Sequence, residues 1–320
     1  MAEAEYYQSG CKMDHTAVAA MTAGTVFQLP DGRAGVNPSA LAAGDKGGFN
    51  TEGIYTVTKT SGVVFLDGCE LWWDHSANAA IQRPAGVSSD YDFFLGTCIG
   101  DAASATTTCK VNLNKRPQYI VELQRDAFAH VPVLTAGTPM ARMVGGALRM
   151  DFSATAEAQK LDILSHRSFP LGSDWIADFV INVAATADAD VADLSVGVAN
   201  ATHASDADSI TESAFFHLDL GGSLNILAES DDGTTEVAAT DTTVDFVVGT
   251  PVRLTLDGRS TSDVLYYVNG VEVLNGTADL GNIAVATGPL KLLVHLEKSA
   301  NDTLATVEVL EANVRIIDNE

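Results

Sequence analysis

Across its 320 residues the chain does not hold the apolar period of an amphipathic helix for more than about ten residues. Short runs of β-branched, aromatic and aliphatic residues recur instead, separated by Gly, Asp, Asn and Pro. The clearest case is VLYYVNGVEVL, Val264 to Leu274, where Asn269-Gly270 divides two β-type runs. Both turn residues tolerate positive φ, as a two-residue hairpin requires. A chain built this way folds as strands, and the lack of helices between them argues against a βαβ architecture.

The second part of the chain carries about twelve such runs. They are Ala147–Phe152, Leu161–Ile163, Trp175–Val183, Leu194–Val198, Ala214–Leu220, Leu224–Glu229, Thr243–Val248, Val252–Asp257, Val264–Val268, Val271–Leu274, Leu290–Leu296 and Ala305–Ile317. Gly221-Gly222 marks a second hairpin. Regular spacing and frequent turns predict a large antiparallel sandwich over 146–320.

The first part, 1–116, reads as Val26–Leu29, Ala34–Val36, Gly53–Thr58, Val63–Leu66, Glu70–Trp73, Phe93–Ile99 and Lys110–Leu113. Asp67-Gly68 is expected to join two of these as a hairpin, and only Pro38–Ala43 looks briefly helical. This pattern predicts a small β-barrel or β-sandwich. Tyr119–Leu123 reads as its last strand, and 117–145 as a connecting segment with two prolines after His130. The fold class is therefore all-β, in two domains.

Charge separates the two parts. Residues 1–116 hold 8 Lys/Arg against 12 Asp/Glu, a net of −4, and residues 117–320 hold 10 against 30, a net of −20. The total of −24 repels phosphate and argues against nucleic-acid binding. The more balanced first part is the better docking element, and the acidic second part the better solvated one. MAEAEYYQSG has no apolar stretch of the secretory kind, and no apolar run reaches the length of a membrane span. A soluble, cytoplasmically made protein with no membrane partner is expected. Cys11, Cys69, Cys98 and Cys109 form no CxxC pair and read as free thiols; a Cys98–Cys109 bridge is the alternative.

Enzyme signatures are missing: no GxxxxGK[ST], no GxGxxG after a strand, no GxSxG and no HExxH. The seven histidines are dispersed, with no two at metal-ligand spacing on one element. No catalytic residue and no cofactor is predicted. Asp188, Asp190 and Asp193 are weak calcium candidates, and Asp206, Asp208, Asp231 and Asp232 sit in similar acidic loops, but none has EF-hand spacing. Solvated turns of an acidic protein account for them better. Trp72 and Trp73 should point to opposite faces of a strand, and with Trp175 they suit packing better than sugar stacking.

Over about residues 5–114, an ordered set of motifs resembles a family of phage head proteins associated with capsid decoration. The motifs are YYQSG (Tyr6 to Gly10), TAGTVFQL (Thr22 to Leu29), GRAGV (Gly32 to Val36), ALAAGDKGGFNTEGIYTVTK (Ala40 to Lys59), GCELWWD (Gly68 to Asp74), LGTCIGDA (Leu95 to Ala102) and CKVNLN (Cys109 to Asn114). In the second part WIADFVINV, TPVRLTLDG, VLYYVNGVEV and TVEVLEANVRI resemble a concanavalin/laminin-G-type jelly roll. The first resemblance implies a virion protein on the outer capsid surface. Its partners would be the major capsid protein and further copies of itself in a homotrimer. An N-terminal arm able to add a strand to a capsid edge makes Glu5, Tyr6, Tyr7, Gln8, Lys12 and Met13 the candidate contacts, with Trp72 and Trp73. The second resemblance leaves a glycan-binding module as the competing reading, because that fold hosts lectins, hydrolases and plain interaction domains.

Overall fold

The structure, a computed structural model, describes residues 11–82, 92–130, 140–153, 156–186, 192–202, 206–301 and 304–317. The chain divides into two compact units, Met1–Gln118 and Tyr119–Glu320. Both are built from antiparallel sheets, and the described residues hold one short helix.

The first unit contains β1 (Lys12–Thr16), β2 (Val26–Gln28), β3 (Ala34–Val36), β4 (Lys46–Asn50), β5 (Ile54–Thr58), β6 (Glu70–Asp74), β7 (Ala79–Gln82), β8 (Phe93–Cys98) and β9 (Thr108–Leu113). They form a four-stranded sheet, β1-β4-β3-β2, and a five-stranded sheet, β5-β9-β8-β6-β7. Neither closes into a barrel. Val26, Ala34 and Val36 from one sheet share a core with Leu71, Trp73, Phe93, Leu95, Val111 and Leu113 from the other. Asn114 ties the sheets together: its Nδ2 donates to the carbonyls of Ala34 and Thr51, both at 2.8 Å, and its Oδ1 accepts from the Ala34 N–H at 2.9 Å.

The smaller sheet contains a local echo at a spacing of twenty residues. Thr22-Ala23-Gly24-Thr25 and Ala42-Ala43-Gly44-Asp45 are matching turns with Gly24 at φ 83° and Gly44 at φ 88°. Met21 and Leu41 exchange two backbone hydrogen bonds of 2.9 Å, and Gly24 donates to Asn37 as Gly44 donates to Ala17. Pro38–Ala43 is thus not helical; its backbone groups are committed to this bridge and turn. Val63–Leu66 is also not a strand, since only Phe65 pairs, with Ala102. Asp67-Gly68 forms a tight turn closed by the Cys69 N–H on the Leu66 carbonyl, 3.1 Å. It is held by reciprocal bonds: Asp101 accepts from the Asp67 N–H (2.8 Å) and Asp67 from the Gly100 N–H (2.7 Å). The four cysteines are free thiols, Cys11 exposed and the others buried. Burial pushes the Cys109 thiol up to about 12, so it stays protonated.

The second unit contains β10 (Val121–Glu122), α1 (Leu123–Asp126), β11 (Ala127–His130), β12 (Met140–Val144), β13 (Ala147–Asp151), β14 (Glu157–Ser165), β15 (Trp175–Thr186), β16 (Ala192–Ala199), β17 (Ser213–Asp219), β18 (Asn225–Asp231), β19 (Glu236–Asp245), β20 (Val252–Gly258), β21 (Leu265–Val268), β22 (Val271–Val273), β23 (Lys291–Asn301) and β24 (Ala305–Ile316). One sheet runs β12-β13-β24-β15-β20-β21-β22 with β10 added on β24, and the other β11-β14-β23-β16-β17-β18-β19. The chain crosses repeatedly between them, as in β14–β15–β16 and β22–β23–β24, which is the habit of a jelly-roll sandwich. Alternate residues fill the core: Phe179, Ile181 and Val183 of β15 meet Leu194, Val196 and Val198 of β16 and Leu292, Val294 and Leu296 of β23. Each such side chain contributes roughly 1.5–3 kcal/mol on burial. A bulge where Val180 pairs Glu311 and Ile181 pairs Val309 keeps Val309 and Ala312 both inward. Asn269 (φ 50°) and Gly270 (φ 75°) form the expected hairpin turn between β21 and β22.

Tyr119–Leu123 does not close the first unit. Val121 and Glu122 pair with Val314 and Asn313 of β24, and Leu123 is buried in the second core. Within 117–145, β11 pairs with β14, and Gly145-Gly146 turns β12 into β13 as a hairpin.

Candidate binding surfaces and a carboxylate–imidazole cluster

In the first unit, β6 alternates as its sequence requires. Leu71 and Trp73 face the core, Trp73 only 5% exposed, while Glu70 and Trp72 face outward. The tandem tryptophans therefore do not form one platform, and Trp72 alone of the pair is at the surface. Its Nε1–H donates to Glu70 Oε1 at 2.7 Å, and its ring meets Phe94 of β8, its cross-strand partner, edge-on at 6.4 Å. The Arg116 guanidinium lies 4.7 Å above Phe94 and 3.7 Å from Glu70 Oε2. Glu70, Trp72, Phe94 and Arg116 thus make a compact aromatic and charged patch. Phe94 and Arg116 escaped sequence reading because Phe94 reaches Trp72 only through the β6–β8 register and Arg116 arrives from the irregular segment after β9.

Lys12 and Met13 lie on β1, the edge of the four-stranded sheet, with Lys12 exposed and the neighbouring Asp14 bound to Lys46 at 2.8 Å. Glu5, Tyr6, Tyr7 and Gln8 lie outside the described residues. A second edge is apolar: β12 ends its sheet and exposes Met140, Met143 and Val144.

The outer face of the seven-stranded sheet carries a row of ionisable groups. His217 of β17 lies with Nε2 3.4 Å from Asp193 and Nδ1 3.7 Å from Asp208. Ser195 Oγ is 3.4 Å from Nδ1. Glu229 of β18 is on the same face, 6% exposed, with Oε1 buried and without a hydrogen-bond partner. Burial works against the His217 imidazolium. The Asp193 hydrogen bond and the charges of Glu229, Asp193 and Asp208 outweigh it and raise the pKa to about 9. Burial and then the Asp208 charge push Glu229 up to about 8, against the pull of His217. Further along the face, His295 is 1% exposed between Asp162 on Nδ1 and Glu297 on Nε2, the latter at 2.8 Å. Burial disfavours its charge, but these two carboxylates raise it to about 9.

Of the calcium candidates, Asp188 and Asp190 lie outside the described residues, and Asp193 serves His217. Other acidic loops are occupied by turn bonds: Asp206 accepts from Ser209, Asp231 from Gly233 and Asp232 from Thr234 and Thr235. Asp208 is the exception, because it turns toward His217 and Glu229.

Residues 7–113 match the family of phage cement proteins, about a third of the chain and all of it in the first unit. The first unit is therefore similar in sequence to a virion component. No curated protein matches the chain. Solved structures similar in fold include one from work on endo-acting O-glycanases of the human gut microbiota. It has 12% identity and a TM-score of 0.44, over 59% of this chain and 92% of that one. The carbohydrate recognition domain of Emp46p matches at 9% identity and TM-score 0.40, over 59% and 88%. The carbohydrate binding module CBM66 from Bacillus subtilis matches at 12% and 0.36, over 58% and 94%. Among the described residues no helix is long and apolar enough to cross a membrane.

Proposed function

We propose that this chain is a structural, non-enzymatic virion protein that binds the outer surface of a tailed-phage capsid and bridges neighbouring major capsid subunits. The cement-family match over residues 7–113 carries the reading. The first domain, 1–116, is the docking element, 117–145 the connection, and 146–320 the exposed domain. Two features of the first unit suit docking: the edge strand β1, which can extend a sheet of the shell, and the Trp72–Phe94–Arg116 patch. Ligands that bind only the assembled state stabilise it by mass action, so bridging copies would toughen the shell. The apolar edge β12 suits contact between copies, in keeping with a homotrimer. Assembly would take place in the host cytoplasm.

The test is binding of purified protein to undecorated heads, with occupancy read by electron microscopy. Saturable density at junctions between capsomers supports the reading, and loss of binding on removing residues 1–13 supports the arm. Full occupancy after that truncation removes the arm from the account. No binding to heads, with binding on a glycan array, would replace the reading with a surface lectin.

A further inference from the structure

The cluster on β17 and β18 lies in the second unit, outside the cement-family match, and its chemistry is specific. Asp208, His217 and Glu229 each offer one donor atom, and the three atoms lie within 4.8 Å of one another. His217 and Glu229 meet because β17 and β18 pair with Phe215 opposite Glu229 and His217 opposite Leu227. The two side chains are then diagonal neighbours on one face. Asp208 arrives from the segment before β17. Ala207 and Ile210 fix that segment by packing on Leu164, Ala199, Phe215 and Leu293.

Three observations point to a ligand rather than a solvated face. Glu229 is more than nine-tenths buried, and its Oε1 meets no N–H or hydroxyl donor; the group its carboxyl approaches is that of Asp208, a second acid. An unsatisfied buried acceptor is costly, more so when charged. A recess of about 10 Å³, lined by Glu229, Asp208, Ser213 and Glu236, adjoins it, a space of roughly one water or one ion. Finally, Asp193 faces Nε2 of His217. A carboxylate there anchors the Nε2–H, so that once a bound ion displaces the Nδ1 proton, Nδ1 faces Asp208, the arrangement that orients a metal-ligating imidazole.

We infer that Asp208, His217 and Glu229 form a binding site for one divalent transition-metal ion, with Asp193 as the positioning residue of the imidazole. One nitrogen and two carboxylates suit an ion such as Zn²⁺ better than Ca²⁺, which prefers an all-oxygen shell. Bonds of about 2.0–2.2 Å set tetrahedral donors roughly 3.4 Å apart, so donors now within 4.8 Å of one another would close by about an ångström on binding. The ion would clamp the 206–212 segment onto the sheet and stiffen the second unit.

The experiment is calorimetric titration of untagged, chelator-treated full-length protein with Zn²⁺, and separately with Ca²⁺. One Zn²⁺ per chain is expected, with affinity reduced more than tenfold in Asp208→Asn and in Glu229→Gln, and about tenfold in Asp193→Asn. Ca²⁺ should bind at least tenfold more weakly. Asp208 is exposed, so its variant tests the site without disturbing the core. In a parallel melt, Zn²⁺ should raise the second unit's transition in the native sequence and not in Asp208→Asn. No stoichiometric Zn²⁺ binding, or binding unchanged in both Asp208→Asn and Glu229→Gln, overturns the site.

Discussion

The buried imidazole at position 295 makes stability fall with rising pH in a calculable window. His295 stands directly opposite Asp162 across β23 and β14, and Glu297 opposite Lys160, whose Nζ is 3.0 Å from Glu297 Oε2. A neutral ring would turn one nitrogen lone pair toward a carboxylate, so the imidazolium is the form that both neighbours favour. Its pKa rises from 6.5 to about 9. The folded state therefore holds the proton more tightly than the unfolded state, so the contribution is complete below about pH 6.5 and lost as pH climbs through about 9. The shift corresponds to about 3 kcal/mol. Glu229, raised to about 8, and His217, raised to about 9, act with the same sign. Glu297, whose pKa is lowered against its burial by His295 and then Lys160, gives stability above the ordinary glutamate range, lost only as pH falls through its lowered value, outside this window. The assay is scanning calorimetry of the full chain from about pH 6 to about pH 10, with His295→Gln alongside. For a unit of this size, about 3 kcal/mol moves Tm by roughly 6–12 °C. His295→Gln should lower the second unit's transition at about pH 6, because Asp162 stays buried without its partner, at a cost of about 3–5 kcal/mol. The gap between the two proteins should close toward about pH 10. A gap that stays constant across the window would refute the buried imidazolium.

Two further substitutions probe the packing. A Cβ on Gly258 would lie 2.0 Å from the Trp175 ring, its cross-strand partner, which is fully buried. Gly258→Ala should cost about 3 kcal/mol or more, read as a lowered second transition, and an unchanged Tm would contradict the register of β15 on β20. Trp73→Ala should cost about 3–5 kcal/mol in the first unit. Trp72→Ala should change stability by less than about 1 kcal/mol and instead reduce head binding; full occupancy by that variant would remove the aromatic patch from the docking surface.

Strand positions were legible because alternation and turn chemistry are local, whereas which face of each sheet is buried was not. Ala34–Val36 and the Asn269-Gly270 hairpin depend on nothing distant, nor does the opposition of Trp72 and Trp73, although which of the two turns inward is set by packing across the sheets. Other elements left weaker traces. β12 has an exposed face of Met and Val beside a Gly-Gly turn, which reads equally well as a connection. The Ala-Gly turns twenty residues apart are visible in the sequence, but their pairing depends on the Met21–Leu41 bridge.

The ionisable row is the part that local pattern could not supply. His217 and Glu229 are neighbours only through the β17–β18 register, and Asp162 meets His295 across 133 residues of chain. On a strand with one wet face, outward polar residues are the default and carry no information. The trace that does exist is in KLLVHLEK, Lys291 to Lys298, where a histidine lies between aliphatic residues in a chain with only seven histidines. An imidazole buried there needs a hydrogen-bond partner at each ring nitrogen, and a carboxylate supplies one for a charged ring. Such a strand should have acidic partners on its neighbours, and Asp162 on β14 is one of them. The same argument applied to FFHLDL leads to Asp193 on β16, and through it to the orientation that turns His217 Nδ1 toward Ser195 and Asp208.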